Sequence, residues 1–252
     1  MSDILRLEHV NKHFGGLHVS NDLTFSIKTG QVTGLIGPNG AGKTTLMNII
    51  SGIYIQDSGQ VIFDGKDISQ IPPYTRARMG IGRTFQAPRF LQRSNIRDNL
   101  LIGSDLSEQK SFTKSFFTRQ NMTFEEELNR YMKVAGFDID LENDITSLTY
   151  GQQKLLEIVR SLLSHPRMIL VDEPAAGLNN AEIENAMALI NIAAKENGIG
   201  VLLIEHSMDM IMNICKEIVV INFGKVIATG TPEEISSNEE VITAYLGKDA
   251  DD

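Results

Sequence analysis

Four short runs, Val32 to Ile36, Met168 to Val171, Val201 to Ile204 and Ile218 to Ile221, are apolar at nearly every position. A strand with one wet face alternates apolar and polar residues. A run that does not alternate is covered on both faces, as in a parallel sheet. Between two of these runs, Ile183, Met187, Ile190 and Ala194 recur at helical spacing and mark the buried face of a crossover helix. Residues 1 to about 30 instead alternate short β-like runs, such as Ile4-Leu-Arg-Leu7 and Leu23-Thr-Phe-Ser-Ile27, with turns, the pattern of an antiparallel sheet. From about Pro88 to Ser164 the pattern changes to helices and polar linkers. There Leu155, Ile158, Val159 and Leu162 share one helical face, while the stretch 104–120 has no clear period. The expected fold is α/β: a parallel-sheet core with an N-terminal antiparallel β subdomain and an inserted helical subdomain.

Length and charge narrow the class. A chain of 252 residues sits at the upper end for one core, which favours a single domain with an inserted lobe over two independent domains. The net charge of -9 argues against a nucleic-acid surface, which needs a basic stripe to track phosphates. The single Cys215 permits no intrachain disulfide, and among Ile211, Met212 and Ile214 it reads as a buried structural thiol. His9, His13 and His18 have no recognised metal spacing and read as ordinary polar residues. No apolar run reaches the roughly 18 residues needed to span a bilayer, and Met1-Ser-Asp-Ile-Leu-Arg6 lacks a secretory signal. Membrane contact is therefore expected only through partners. The end, Lys248-Asp-Ala-Asp-Asp252, reads as frayed.

Chemistry enters with Gly37, Pro38, Asn39, Gly40, Ala41, Gly42, Lys43 and Thr44, followed by Thr45, which match G-x-x-x-x-G-K-[ST]. The stretch lies between a strand-like run, Gln31 to Ile36, and a helical one, Thr44 to Ile50, the context a phosphate loop requires. Gly37, Gly40 and Gly42 free the backbone so that several N–H groups can converge on phosphate oxygens at the positive end of a helix. Lys43 would reach the outer phosphates, and the Thr44 hydroxyl would bind Mg²⁺. A plain glycine-rich turn before a helix is the bland alternative. Downstream, Arg167-Met-Ile-Leu-Val-Asp-Glu-Pro174 is an apolar strand ending in two acids. Side chains adjacent on a strand point apart, so the two acids take separate tasks: Asp172 in the Mg²⁺ shell through water, Glu173 as the general base on the attacking water. An isolated acidic pair would more simply be a solvated turn, but the upstream loop favours chemistry.

With these elements in this order the chain resembles the nucleotide-binding subunits of ABC transporters. Leu148, Thr149, Tyr150, Gly151 and Gln152 are similar to that family's LSGGQ signature, which in the family binds the γ-phosphate of ATP held by the opposite subunit. The resemblance makes Gln86, in Arg83-Thr-Phe-Gln86, the Q-loop residue that senses Mg²⁺ and the permease. It makes His206, in Leu203-Ile-Glu-His206, the switch histidine beside the γ-phosphate. Without that context Gln86 would read as a surface polar residue and His206 as a structural group. Phe14, twenty-nine residues before Lys43, fits the aromatic that stacks on adenine, or a core anchor. Tyr150 stands where the family has glycine, and Asn179, in the loop after Asp172, replaces the usual aspartate.

Arg78-Met-Gly-Ile-Gly-Arg-Thr-Phe-Gln86, Tyr150-Gly-Gln-Gln153, Asp172-Glu-Pro-Ala-Ala-Gly-Leu-Asn179 and the tail from Gly230-Thr-Pro-Glu-Glu-Ile235 to Tyr245-Leu-Gly247 look like branched-chain amino-acid importers, in particular their LivG-type ATPase. This likeness runs from about Leu5 to Gly247. It implies one ABC ATPase domain over 1–252, with a RecA-like P-loop NTPase core in 1–87 and 165–252 and a helical signature subdomain in 88–164. It also implies ATP and Mg²⁺ as cofactors, with Thr44, Gln86 and Asp172 toward the metal, and a second ABC ATPase subunit in a homo- or heterodimer. The remaining implied partners are integral membrane permease subunits and, indirectly, a solute-binding protein. The expected location is peripheral, on the cytoplasmic face of the cell (inner) membrane. Two alternatives stay open: a soluble ABC ATPase in a non-transport assembly, and a module that binds ATP without turning it over.

Overall fold

The computed structural model describes residues 2–104 and 120–246. The aperiodic stretch between Ser104 and Gln120 and the tail beyond Leu246, including the end expected to fray, lie outside the described residues. The chain opens with β1 (Asp3–Phe14) and β2 (Leu17–Lys28), then β3 (Val32–Ile36), α1 (Lys43–Ile50), β4 (Ser58–Phe63), β5 (Lys66–Asp67), α2 (Pro73–Arg78) and β6 (Ile81–Arg83). Three helices follow, α3 (Ile96–Ser104), α4 (Gln120–Val134) and α5 (Tyr150–Leu163). The chain then returns to β7 (Met168–Asp172), α6 (Asn180–Asn191), β8 (Gly200–Ile204), α7 (Met208–Ile214), β9 (Glu217–Asn222), β10 (Lys225–Gly230), α8 (Pro232–Ser236) and α9 (Glu239–Leu246).

The strands form two sheets. One is antiparallel, in the order β2-β1-β4-β5, and the other runs β10-β9-β3-β8-β7-β6, parallel except for its β9–β10 edge. This is the P-loop NTPase arrangement the sequence leads one to expect, and all four of those mostly apolar runs are parallel strands buried on both faces. The first thirty residues differ from expectation in detail: the short runs are parts of two twelve-residue strands, one near the start of β1 and the other toward the end of β2. Register shifts near Val10 and Lys12 let β1 continue through polar residues that break any period.

Period-two alternation on the parallel strands divides the core. Leu170, Leu202, Ile204, Val219 and Ile221 face α1 and the antiparallel sheet. Ile169, Val171, Val201, Leu203, Ile218 and Val220 face α5, α6 and α7 and the helices beyond them. Cys215 packs on that second side, and burial pushes its thiol up to about 12, as a structural thiol requires.

Candidate functional site

The loop after β3 is clamped between the two sheets. A Cβ on Gly37, where φ is 154°, would lie 2.0 Å from the Ile221 carbonyl oxygen on β9, and one on Gly42, where φ is 104°, would lie 2.6 Å from the Val19 carbonyl oxygen on β2. Only glycine permits this approach at these backbone angles. Gly42 is the left-handed cap from which α1 starts at Lys43, one residue before the predicted helix. Ala41 is buried; Asn39, Gly40 and Thr44 are exposed, and Pro38 and Thr45 lie half-buried. The Lys43 ammonium, itself buried, donates to the Gly37 carbonyl at 2.6 Å and the Pro38 carbonyl at 3.1 Å, closing the loop on itself. From α9 the Tyr245 hydroxyl hydrogen-bonds the Gly37 backbone.

Four other residues predicted from sequence, Gln86, Asp172, Glu173 and His206, lie at or just past the same ends of neighbouring strands β6, β7 and β8, the edge where open α/β sheets bind ligands. Asp172 ends β7, buried. Burial pushes its carboxyl above the usual range against the pull of the Arg83 guanidinium, 3.7 Å away. Arg83 is anchored in turn by Asn48 Oδ1 at 2.7 Å and Ser51 Oγ at 3.0 Å, at the far end of α1.

Glu173 departs from the strand geometry assumed above. Its φ is 47°, so left-handed backbone, rather than strand alternation, separates its side chain from that of Asp172. Its N–H donates to the Ile204 carbonyl at 2.9 Å. Both of its carboxylate oxygens are engaged: Gln86 Nε2 donates to Oε2 at 3.1 Å, and His206 Nε2 lies 3.2 Å from Oε1. The structure thus brings together Glu173, Gln86 and His206, residues far apart in sequence. The buried Glu205 braces them by accepting from the N–H groups of Ala175 at 2.7 Å, His206 at 2.6 Å and Ser207 at 2.9 Å.

The Leu148 to Gln152 segment heads α5. Thr149 is its N-cap, with a reciprocal capping box to Gln152, and is exposed; Leu148 is buried. The Tyr150 hydroxyl donates to the Gln86 carbonyl at 3.1 Å, and Lys154, buried one turn on, donates to the Glu173 carbonyl. A Cβ on Gly151 would lie 2.4 Å from the Glu182 carboxylate. Glu182 belongs to the capping box that Asn179 forms at the start of α6. Phe14 stands apart from the core clusters, 43% exposed, with its ring edge-on to Tyr54 at 5.3 Å, so it does not anchor the core. His13 and His18 stack at 3.9 Å, and His9 pairs with Asp22 at 2.7 Å.

Sequence reasoning did not single out Lys154, Glu157, Glu205 or Tyr245. One signal was available: Lys154 and Glu157 are charged residues within or beside the apolar stripe of α5, where burial needs a partner.

The model of the ABC transporter family matches residues 20–176, and that of the branched-chain amino acid ATP-binding cassette transporter matches residues 225–251. The chain is 38% identical to the high-affinity branched-chain amino acid transport ATP-binding protein BraF of Pseudomonas aeruginosa, over 97% of this chain and 98% of that protein. It is 34% identical to LivG, the protein so described in Escherichia coli K12, again over 97% and 98%. Among solved structures, an ATP-binding cassette of an ABC transporter in its ADP conformation superposes with a TM-score of 0.83 at 32% identity, covering 98% of this chain and 100% of that one.

Proposed function

This chain belongs to the ABC transporter family, and from that premise we propose that it is the ATP-binding and ATP-hydrolysing subunit of an importer of branched-chain or other hydrophobic amino acids. The observation that carries the catalytic reading is the convergence of Gln86 and His206 on the Glu173 carboxylate, at strand ends beside the Lys43 loop. In this reading Gly37 to Thr45 cradle the phosphates of ATP, Lys43 exchanges its carbonyl partners for phosphate oxygens, and the exposed Phe14 ring takes the adenine. Glu173 accepts a proton from the water that attacks the γ-phosphorus, the bond to the β,γ-bridging oxygen breaks with ADP as leaving group, and His206 stands beside the γ-phosphate.

Hard oxygen donors suit Mg²⁺: the exposed Thr44 hydroxyl, the Gln86 amide oxygen and the buried Asp172 carboxylate. When bound, the ion supplies neutralisation of the developing phosphate charge.

Thr149 and Gly151 act on ATP held by a second ABC ATPase subunit. Capping uses a lone pair of Thr149 Oγ1 and leaves its proton free to donate. Two such charge-assisted bonds per site, at roughly 1.5 to 3 kcal/mol each, give about 6 to 12 kcal/mol over two sites before association costs. Reversing a 1:99 equilibrium needs about 5.5 kcal/mol, so binding suffices to close the dimer and hydrolysis to reopen it. Residues 1–87 and 165–252 form the ATP-binding core and 88–164 the signature subdomain. The groove between them, about 530 Å³ and lined by Arg78, Phe85, Ile102 and Arg160, receives a permease segment. The subunit sits on the cytoplasmic face of the inner membrane, with a solute-binding protein upstream.

Glu173→Gln keeps ATP binding, stops turnover and traps a dimer on size exclusion, whereas Lys43→Ala loses nucleotide affinity itself. Undiminished steady-state hydrolysis by Glu173→Gln refutes the general base. Affinity purification from membranes recovers a permease if the chain serves transport; soluble partners alone favour the non-transport assembly.

A further inference from the structure

The head of α5 is tied twice to the catalytic cluster of its own chain. Tyr150 reaches the Gln86 backbone at 3.1 Å, and Lys154 reaches the Glu173 backbone. Four residues apart, the two share a helical face, with Lys154 Nζ 5.8 Å from the Tyr150 ring centroid. Both ties end on carbonyls of residues whose side chains meet each other, Gln86 donating to Glu173. Neither tie is explained by packing. Tyr150 is 48% exposed, so filling space does not account for its directed hydroxyl. Lys154 is 4% exposed, where an aliphatic residue would pack without a desolvation penalty. Lysine adds a cation among the carboxylates of Glu205, Glu173, Glu157 and Asp172 and a donor to Glu173, which is held in left-handed backbone just past the end of β7. Such backbone persists only where its surroundings over-determine it.

We propose that Tyr150 and Lys154 are positioning residues for hydrolysis: they make the head of α5 a strap across Gln86 and Glu173 of the same chain, so that seating α5 on a neighbour's nucleotide sets the general base at home. The proposal rests on the ATPase reading above.

The test uses the full chain, comparing steady-state ATP hydrolysis with equilibrium binding of a fluorescent ATP analogue. Lys154→Met lowers kcat at least tenfold while analogue affinity stays within twofold, and Lys154→Arg, which keeps a donor, recovers most of the rate. Tyr150→Phe lowers kcat about threefold, again with affinity held. A wild-type rate in Lys154→Met, or equal loss of rate and affinity in both lysine variants, overturns the strap. Should Lys154→Met melt early, Tyr150→Phe decides, and an unchanged kcat there overturns it. Failure of the ATPase reading is separately visible, as absent hydrolysis by the unsubstituted chain or full hydrolysis by Glu173→Gln, and takes the strap with it.

Discussion

Glu157 is the charge most at odds with its surroundings. Burial drives its carboxyl from 4.5 to about 7, against backbone donors from Phe85 and Arg89 and the Arg160 guanidinium, and Oε1 has no hydrogen-bond partner among the described residues. The folded chain therefore binds this proton more tightly than the unfolded one. Stability contributed by the protonated form is complete below about 4.5 and drains away as pH rises to about 7, by roughly 3 kcal/mol at most. Glu157→Gln keeps the acceptor and removes the charge, so its melting temperature exceeds wild type by several degrees at pH 8 and by little at pH 4.5. A constant gap across a calorimetric pH series contradicts this. The sequence shows only that this charge lies beside the apolar stripe of α5; its partners come from packing α5 against the Gln86 loop. Lys43, Asp172 and Glu173 are legible because their chain neighbours announce them, though no strand rule anticipates the left-handed turn at Glu173.

Helix caps explain a departure that the sequence leaves unexplained. Asn179 Oδ1 accepts from the Glu182 N–H at 3.0 Å, work an aspartate carboxylate does equally well. Asn179→Asp leaves thermal stability within about 0.5 kcal/mol of wild type, while Asn179→Ala costs about 1 kcal/mol by releasing α6. Denaturant midpoints separate the two, and an unaffected alanine variant would show that the cap is idle. Elements with uninterrupted apolar runs, β3, β7, β8 and β9, are readable because burial on both faces leaves no alternative. The three-residue β6 and the half-buried edge strand β10 are not, since neither is long or apolar enough to express a period.

Across the molecule, two cores flank one parallel sheet, and the candidate site lies along a single edge of that sheet. The sequence's division into β, parallel and helical parts captures this because each part has its own hydrophobic period. It misses how the parts touch, which long-range register decides. A ligand that binds only the folded form at about 100 times its dissociation constant adds roughly 2.7 kcal/mol. For a chain of this size MgATP therefore raises the melting temperature by roughly 5 to 10 °C. In Lys43→Ala that rise disappears, and its persistence would place the nucleotide elsewhere. The carbonyls of Ile221 and Val19, which press on Gly37 and Gly42 from opposite sheets, give the loop one more property. Neither sheet can slide past the other without bending the backbone between them, so a nucleotide seated there would act as a rivet through the seam, stiffening both sheets against shear.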